Sequence, residues 1–319
     1  MVPPMRVVFM GSPEFAVPCL RALAGRHEVA FVVSQPDKPA GRGGQMHAPA
    51  VKVAAQELGL PVIQPRSART GELEKALKES GAEVAIVVAY GKILPKAVLE
   101  ALPRGCLNVH ASLLPKYRGA APVQWAVIDG EAETGVDIMQ LDEGMDTGPV
   151  LYTRTVAIEP DETSGELLAR LAPLGAETLL HALDELAAGR AVATAQDHAA
   201  ATHARMLTKA DGAIDFTQPA TAVASRIRGV DPWPGAQTLL RGQVTKLFRA
   251  RPSDKTSGSP PGTVLAIDDA GAHVACGSGA VVIREIQPPN RKRMPVAQLA
   301  NGRGIAVGDV LETPRTEAS

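Results

Sequence analysis

The chain opens with short, wholly apolar runs separated by stretches of helical periodicity. Val7-Val8-Phe9-Met10 predicts a buried strand. After it, Ser12 is placed to cap a helix that has Pro13 at its first position and runs to about Leu23. The alternation repeats, with a strand over 29–33, a helix over 48–58, a short strand at Val62-Ile63 and a helix over 72–79. Val84-Ala85-Ile86-Val87-Val88 follows as the most apolar strand candidate of the chain. Continuous Val/Ile runs alternating with helices mark a mostly parallel sheet covered on both faces. The first part therefore predicts a doubly wound α/β domain.

Later the pattern changes. Residues 134–141 and 149–158 read as two strands around the turn-rich Asp142–Gly148, and an Ala/Leu helix over about 164–188 closes the domain. From about Met206 one short helix (220–228) leads to strand-like runs at 237–240, 244–249, 262–267, 273–276 and 280–286, punctuated by Gly, Pro and Asp. Several short strands without long helices predict a small, OB-like β-barrel, with the Ser/Pro-rich 252–261 as an exposed loop. The expected division is 1–205, connecting helix included, and 206–319. No internal repeat is visible.

At 319 residues and 45% hydrophobic content the chain can bury a full core, which excludes a disordered protein. Its 33 Lys+Arg against 34 Asp+Glu leave a net charge of −1, which argues against indiscriminate nucleic-acid binding. The average conceals an asymmetry. Residues 1–205 carry 19 basic and 24 acidic residues, and 206–319 carry 14 and 10, so the two parts stand at −5 and +4. The basic residues of the second part include the run Arg291-Lys292-Arg293 and, apart from it, Arg226, Arg228, Arg241, Lys246, Arg249 and Arg251. A basic barrel is a platform for nucleic acid, and with few aromatics (Phe216, Trp233, Phe248) phosphate contact would dominate over base stacking. Three scattered cysteines, Cys19, Cys106 and Cys276, make no disulfide framework and point to a reducing compartment. With no apolar run near the roughly 18 residues of a membrane span and no signal-peptide layout, a cytoplasmic protein is expected.

Several segments carry candidate chemistry. Gly11-Ser12-Pro13-Glu14 lies at a strand-to-helix turn that could receive an anion or serve only as a capped turn. It is not G-x-G-x-x-G, so a nicotinamide oxidoreductase is unsupported. If 106–110 is a strand, Cys106, Asn108 and His110 share one face, with Asn108 and His110 about 7 Å apart. Two polar side chains at the end of a central strand suit a site; a satisfied core histidine beside a turn-making Asn is the alternative. Among the acids after Leu141, Asp142 and Glu143 read as turn residues. Asp146 gains a role if its loop returns over His110, where a carboxylate would orient and charge the imidazole. The other histidines lack metal-site spacing and nothing adjacent activates Cys106, so neither a metal nor a cysteine nucleophile is expected. The loop 36–45, with Lys38 and Arg42, is either a basic arm reaching for a polyanion or a solvent loop.

The run Asn108-Val109-His110-Ala111-Ser112-Leu113-Leu114-Pro115-Lys116-Tyr117-Arg118-Gly119-Ala120-Ala121-Pro122, with Leu141–Gly148 downstream, resembles the methionyl-tRNA formyltransferase family of folate-dependent formyltransferases. Phe9–Phe15, Lys209–Phe216 and Pro232–Ala236 extend the resemblance over essentially the whole chain. It implies a formyltransferase-like catalytic domain using 10-formyltetrahydrofolate as co-substrate, and a C-terminal barrel that helps to hold initiator methionyl-tRNA. The family's catalytic Asn, His and Asp map onto Asn108, His110 and Asp146. Its folate segment maps onto Ser112, Leu113, Leu114 and Pro115, and its tRNA-contacting insertion onto the loop of Lys38 and Arg42. Arg291, Lys292 and Arg293 are added as tRNA contacts on charge alone, and a monomer is expected. Tyr117 stands where the family often has Trp. Rival readings are formyl transfer to a nucleotide or sugar amine, a formyl-folate hydrolase, and a non-catalytic RNA-binding protein. The basic second part, the Arg42 loop and Ala111, where such relatives often place Pro, favour the tRNA enzyme.

Overall fold

The computed structural model describes residues 3–40, 45–255 and 258–314. Two compact units are present: Met1–Gly119 with Gly135–Val156 and Leu168–His203, and Ala120–Thr134 with Ala157–Leu167 and Ala204–Ser319. Neither is one continuous stretch. Residues 120–134 and 157–167 group with the C-terminal unit.

The first unit is built on β1 (Arg6–Gly11), β2 (Glu28–Val33), β3 (Val62–Ile63), β4 (Val84–Val88), β5 (Cys106–His110), β6 (Glu133–Gln140) and β7 (Val150–Ala157), in the sheet order β7-β6-β5-β4-β1-β2-β3. The pairs β3–β2, β2–β1, β1–β4 and β4–β5 are parallel. All four central residues Val7–Met10 and all of Val84–Val88 are buried, which explains their unbroken apolar character. Helices α1 (Val17–Ala24), α2 (Ala50–Glu57) and α3 (Glu72–Glu79) connect the parallel strands. The long α4 (Ser164–Ala187) passes close to the sheet, where a Cβ at Gly175 would lie 3.2 Å from Val109.

The parallel order stops at β5. β6 runs antiparallel to it, with Leu107 opposite Gln140, Asn108 opposite Met139 and His110 opposite Asp137. Two local expectations also change. Ser12 does not cap the first helix: Pro13 precedes a 3-10 turn at Glu14–Ala16, α1 begins at Val17, and the Ser12 hydroxyl accepts from the Gln35 N–H at 3.0 Å. In the loop of Lys38, Lys38–Ala40 pairs antiparallel with Gln45–His47, and Arg42 lies outside the described residues.

The second unit contains α5 (Ala220–Gly229) and an antiparallel sheet of β8 (Ala236–Leu240), β9 (Gln243–Ser253), β10 (Val264–Asp268), β11 (Gly271–Ala275), β12 (Ala280–Gln287) and β13 (Leu311–Glu312), ordered β10-β11-β12-β9-β8-β13, with Met294–Pro295 pairing β12. The sheet curls until its ends meet at the Thr263–Val310 bridge, where Val264 N–H donates to the Asp309 carbonyl at 2.8 Å. Such curling removes exposed edges, as in OB-like barrels. Its core gathers Ile214, Phe216, Ile227, Leu247, Val281 and Ile283.

Gly135 shows how tightly β6 is set. An added Cβ would lie 2.2 Å from the Arg154 carbonyl oxygen and 2.5 Å from the Leu113 side chain. Gly135→Ala is expected to lower stability by about 1–3 kcal/mol in urea unfolding, the usual range for overpacking against a backbone that cannot give way.

Candidate active site

Asn108 and His110 lie on the same face of β5, at its C-terminal end, with exposures of 9% and 5%. Their neighbour on that face, Cys106, is sunk in the core, where burial pushes its thiol up to about 12. It is not a nucleophile. Among the described residues no hydrogen bond is made by the Asn108 amide. That amide is a fixed donor and acceptor left open.

The two nitrogens of His110 are not equivalent. Nε2 lies 3.0 Å from the Tyr117 carbonyl oxygen. A carbonyl only accepts, so Nε2 carries a hydrogen and Nδ1 is the nitrogen left for chemistry. Nδ1 faces Asp146, with Oδ2 at 3.7 Å, a charge contact too long for a hydrogen bond. The loop therefore does return to His110. β6 ends opposite Leu107, three residues before His110, so the chain doubles back by about 10 Å to bring Asp146 there. The base of the loop is tied by Gln140 N–H to the Pro149 carbonyl at 2.9 Å. The Asp146 carboxylate itself accepts from Gly119 N–H at 2.8 Å. Asp142 and Glu143 are turn and surface residues, as expected: Asp142 Oδ1 accepts from Gly144 N–H and the Thr147 hydroxyl, and Glu143 pairs with Lys96.

Ser112–Pro115 forms the turn that follows β5. The Ser112 hydroxyl is buried and donates to the Lys116 carbonyl at 2.9 Å, so it shapes the turn from within. Leu113, Leu114 and Pro115 are half-buried and offer an apolar edge.

Three participants were not singled out from the sequence. Asp137, 1% exposed, stands directly across from His110. Its Oδ2 accepts from Leu114 N–H at 2.6 Å and its Oδ1 from the Thr153 hydroxyl at 2.5 Å, so it also pins the Ser112–Pro115 turn. Burial holds its carboxyl above the usual carboxylate range, against the opposing pull of those hydrogen bonds and of His110. Its signal was available, since an Asp inside the apolar run Val136-Asp137-Ile138-Met139 is a buried polar residue in need of a reason. Arg118 and Gln196 form the other part: both are buried, and Gln196 bonds to the loop of Asp146. Nothing in the spacing of a lone Gln discloses that.

The raised carboxyl of Asp137 has a consequence with a definite sign. A carboxylate raised in the folded state weakens folding at neutral pH, and the penalty disappears as pH falls through the folded pKa. Asn at this position keeps both hydrogen bonds, because its oxygen can accept from Leu114 while its NH2 donates to a rotated Thr153 hydroxyl. Asp137→Asn should therefore melt above the wild type at pH 7, with the difference shrinking towards pH 4 in thermal scans.

A formyl transferase family model matches residues 5–183, and a formyl transferase C-terminal domain model matches 206–304. The chain is 49% identical over 310 residues to the methionyl-tRNA formyltransferase of Desulfotalea psychrophila, covering 97% of this chain and 96% of that one. It is 48% identical over 309 residues to that of Sorangium cellulosum, covering 96% and 99%. Among solved structures, HypX from Aquifex aeolicus in complex with tetrahydrofolic acid superposes with a TM-score of 0.62 at 20% identity, covering 99% of this chain and 50% of that longer one. WlaRD, a sugar 3N-formyl transferase, superposes with a TM-score of 0.68 at 14% identity, covering 90% and 99%. At such identities the two structures speak for the fold alone. The sequence relatives and the two domain models, laid over an Asn–His pair whose loop carboxylate has returned to the imidazole, decide the matter: the chain belongs to the formyl transferase family, among the methionyl-tRNA formyltransferases.

Proposed function

We propose that the protein transfers the formyl group of 10-formyltetrahydrofolate to the α-amino group of methionyl initiator tRNA, with residues 1–205 serving catalysis and 206–319 helping to hold the tRNA. The observation that carries the chemical part is the pair of uncommitted polar groups, the Asn108 amide and His110 Nδ1, on one strand face beside a half-buried apolar turn. A formyl-folate needs an apolar edge for its ring system and donors for its carbonyl oxygen, and these residues fit both demands.

The co-substrate supplies an activated formyl carbon, and the methionyl amine is itself the nucleophile, so the chain need offer none. Asn108 donates its amide N–H to the formyl oxygen as that oxygen gains charge. His110, with Nε2–H committed to Tyr117, donates from Nδ1 to the departing folate nitrogen, directly or through water. The methionyl nitrogen, which loses a proton on becoming an amide, returns one to Nδ1. Asp146 faces Nδ1, so its carboxylate lies opposite the nitrogen that passes the proton. The Leu113–Pro115 edge, pinned through Leu114 to Asp137, packs against the folate.

For the tRNA, Lys38, Arg42 and the exposed Arg291 and Lys292 are read as phosphate contacts. Arg293 is in a different position. Its guanidinium bonds to Glu285, lies 3.6 Å from Asp231 and stacks 4.1 Å from the Phe248 ring, so it steadies the turn presenting its two neighbours.

Formylation of methionyl initiator tRNA by purified protein with 10-formyltetrahydrofolate tests the reading. Product is expected with the tRNA, and no product, or faster product with a free small amine, overturns it. Asn108→Ala should lower turnover by about 10²–10³, as for loss of an oxyanion donor, with unchanged folding by circular dichroism. Arg42→Ala should raise the KM for tRNA while leaving the KM for formyl-folate unaltered.

A further inference from the structure

The carboxylate that serves His110 does not sit in a relaxed loop. Asp146 has φ of 52°, in the left-handed region that disfavours side chains by about 1–2 kcal/mol. Such a conformation persists where the surroundings over-determine it.

Here they do so from one place. The Asp146 carboxylate accepts from Gly119 N–H. Its backbone carbonyl accepts from Gln196 Nε2 at 2.9 Å, and the same Nε2 donates to the Gly148 carbonyl at 2.7 Å. The other end of Gln196 accepts twice from Arg118, from Nε at 3.0 Å and from Nη2 at 2.7 Å, while Nη2 also reaches His198 Nδ1 at 3.1 Å. An amide has two hydrogens and two oxygen lone pairs, and in Gln196 all four are used. Its orientation admits no flip. A guanidinium only donates, so the amide oxygen must face Arg118, and the NH2 must face the two carbonyls. Arg118 is 4% exposed and Gln196 9%, so water does not substitute for either partner without opening the site. Adjacent residues 118 and 119 thus grip both ends of Asp146, one through Gln196 and one directly.

We infer that Gln196, locked by Arg118, is a positioning residue that holds the Asp146 loop in its strained conformation and so sets the distance from the Asp146 carboxylate to His110. This rests on the role given to Asp146 above. Removing the clamp frees two carbonyls at Asp146 and Gly148 without touching a group that meets substrate. A displacement of the order of 1 Å in such a constellation costs up to about 10² in rate.

The experiment is steady-state formylation with Gln196→Leu, Gln196→Glu, Asp146→Ala and the double variant Asp146→Ala/Gln196→Glu. Gln196→Glu keeps the acceptor for Arg118, turning it into an ion pair, but replaces the donor facing the two carbonyls with a repelling oxygen. The ion pair with Arg118 offsets part of the loss, so this variant should still unfold in a single cooperative thermal transition even where Gln196→Leu does not fold. Both single Gln196 variants are expected to lower kcat by about 10–10² with both KM values within about twofold. The double variant should be no slower than Asp146→Ala alone, because a residue acting only through Asp146 has nothing left to position. Wild-type kcat in Gln196→Glu, or losses that multiply in the double variant, would overturn the inference. Wild-type kcat in Asp146→Ala would instead overturn the role of the carboxylate itself. A slow Asp146→Ala beside a fast Gln196→Glu separates failure of the clamp from failure of that role.

Discussion

One antiparallel pairing, β5 against β6, organises the chemistry of the first unit. Every other inner pairing of that sheet is parallel, which places strand ends and following loops on one edge. Reversing the next strand sets Asp137 directly beside His110 and leaves the chain, at Gln140, near the start of β5. From there the 142–149 loop must travel back to meet His110. Two carboxylates thus reach one imidazole by different routes, one through sheet register and the other through a loop.

Environment gives the two carboxylates different capacities. Asp137 is sealed, its oxygens occupied by Leu114 N–H and the Thr153 hydroxyl, and burial raises its carboxyl. It ties the apolar turn to the strand that bears His110. Asp146 lies nearer solvent, with its side chain 16% exposed, and faces the uncommitted Nδ1. The Tyr117 carbonyl, by occupying Nε2, decides which nitrogen stays open. The Ser112–Tyr117 turn therefore positions the imidazole as well as offering an apolar edge.

In the second unit, formal charge overstates the positive charge open to a polyanion. Arg205 pairs with Asp211, Arg241 with Asp309, Arg249 with Glu166 and Arg284 with Asp161. Glu166 is held down at about 2 by Arg249, so that pair stays ionised through the neutral range. Among the described residues no ion pair is found for Lys246, Arg251, Arg291 or Lys292. They are among the basic residues of 206–319 that no carboxylate within ion-pair distance offsets.

Much of the scaffold was legible in the chain itself. Uninterrupted Val/Ile runs between helices marked strands buried on both faces, and the short punctuated runs after Met206 marked a small β-barrel, which the structure shows as a curled antiparallel sheet. Asn108 and His110 fell on one face because strand side chains alternate, a local rule that needs no partner. The Ser12 cap failed because the Ser12 hydroxyl is engaged by Gln35, which lies beyond the next strand. Asp146 could be named only conditionally, since a loop's path depends on what its flanking strands pair with. Asp137, Arg118 and Gln196 acquire meaning through register and through contacts spanning 27 to 78 residues. The sequence by itself determined the elements, the face carrying the Asn–His pair and the family, because these follow from local periodicity and a contiguous motif. The tertiary structure alone decided the reversed strand, the open nitrogen of His110 and the bonds of Gln196 to the Asp146 loop, because each is a contact between segments that covalent neighbours do not specify.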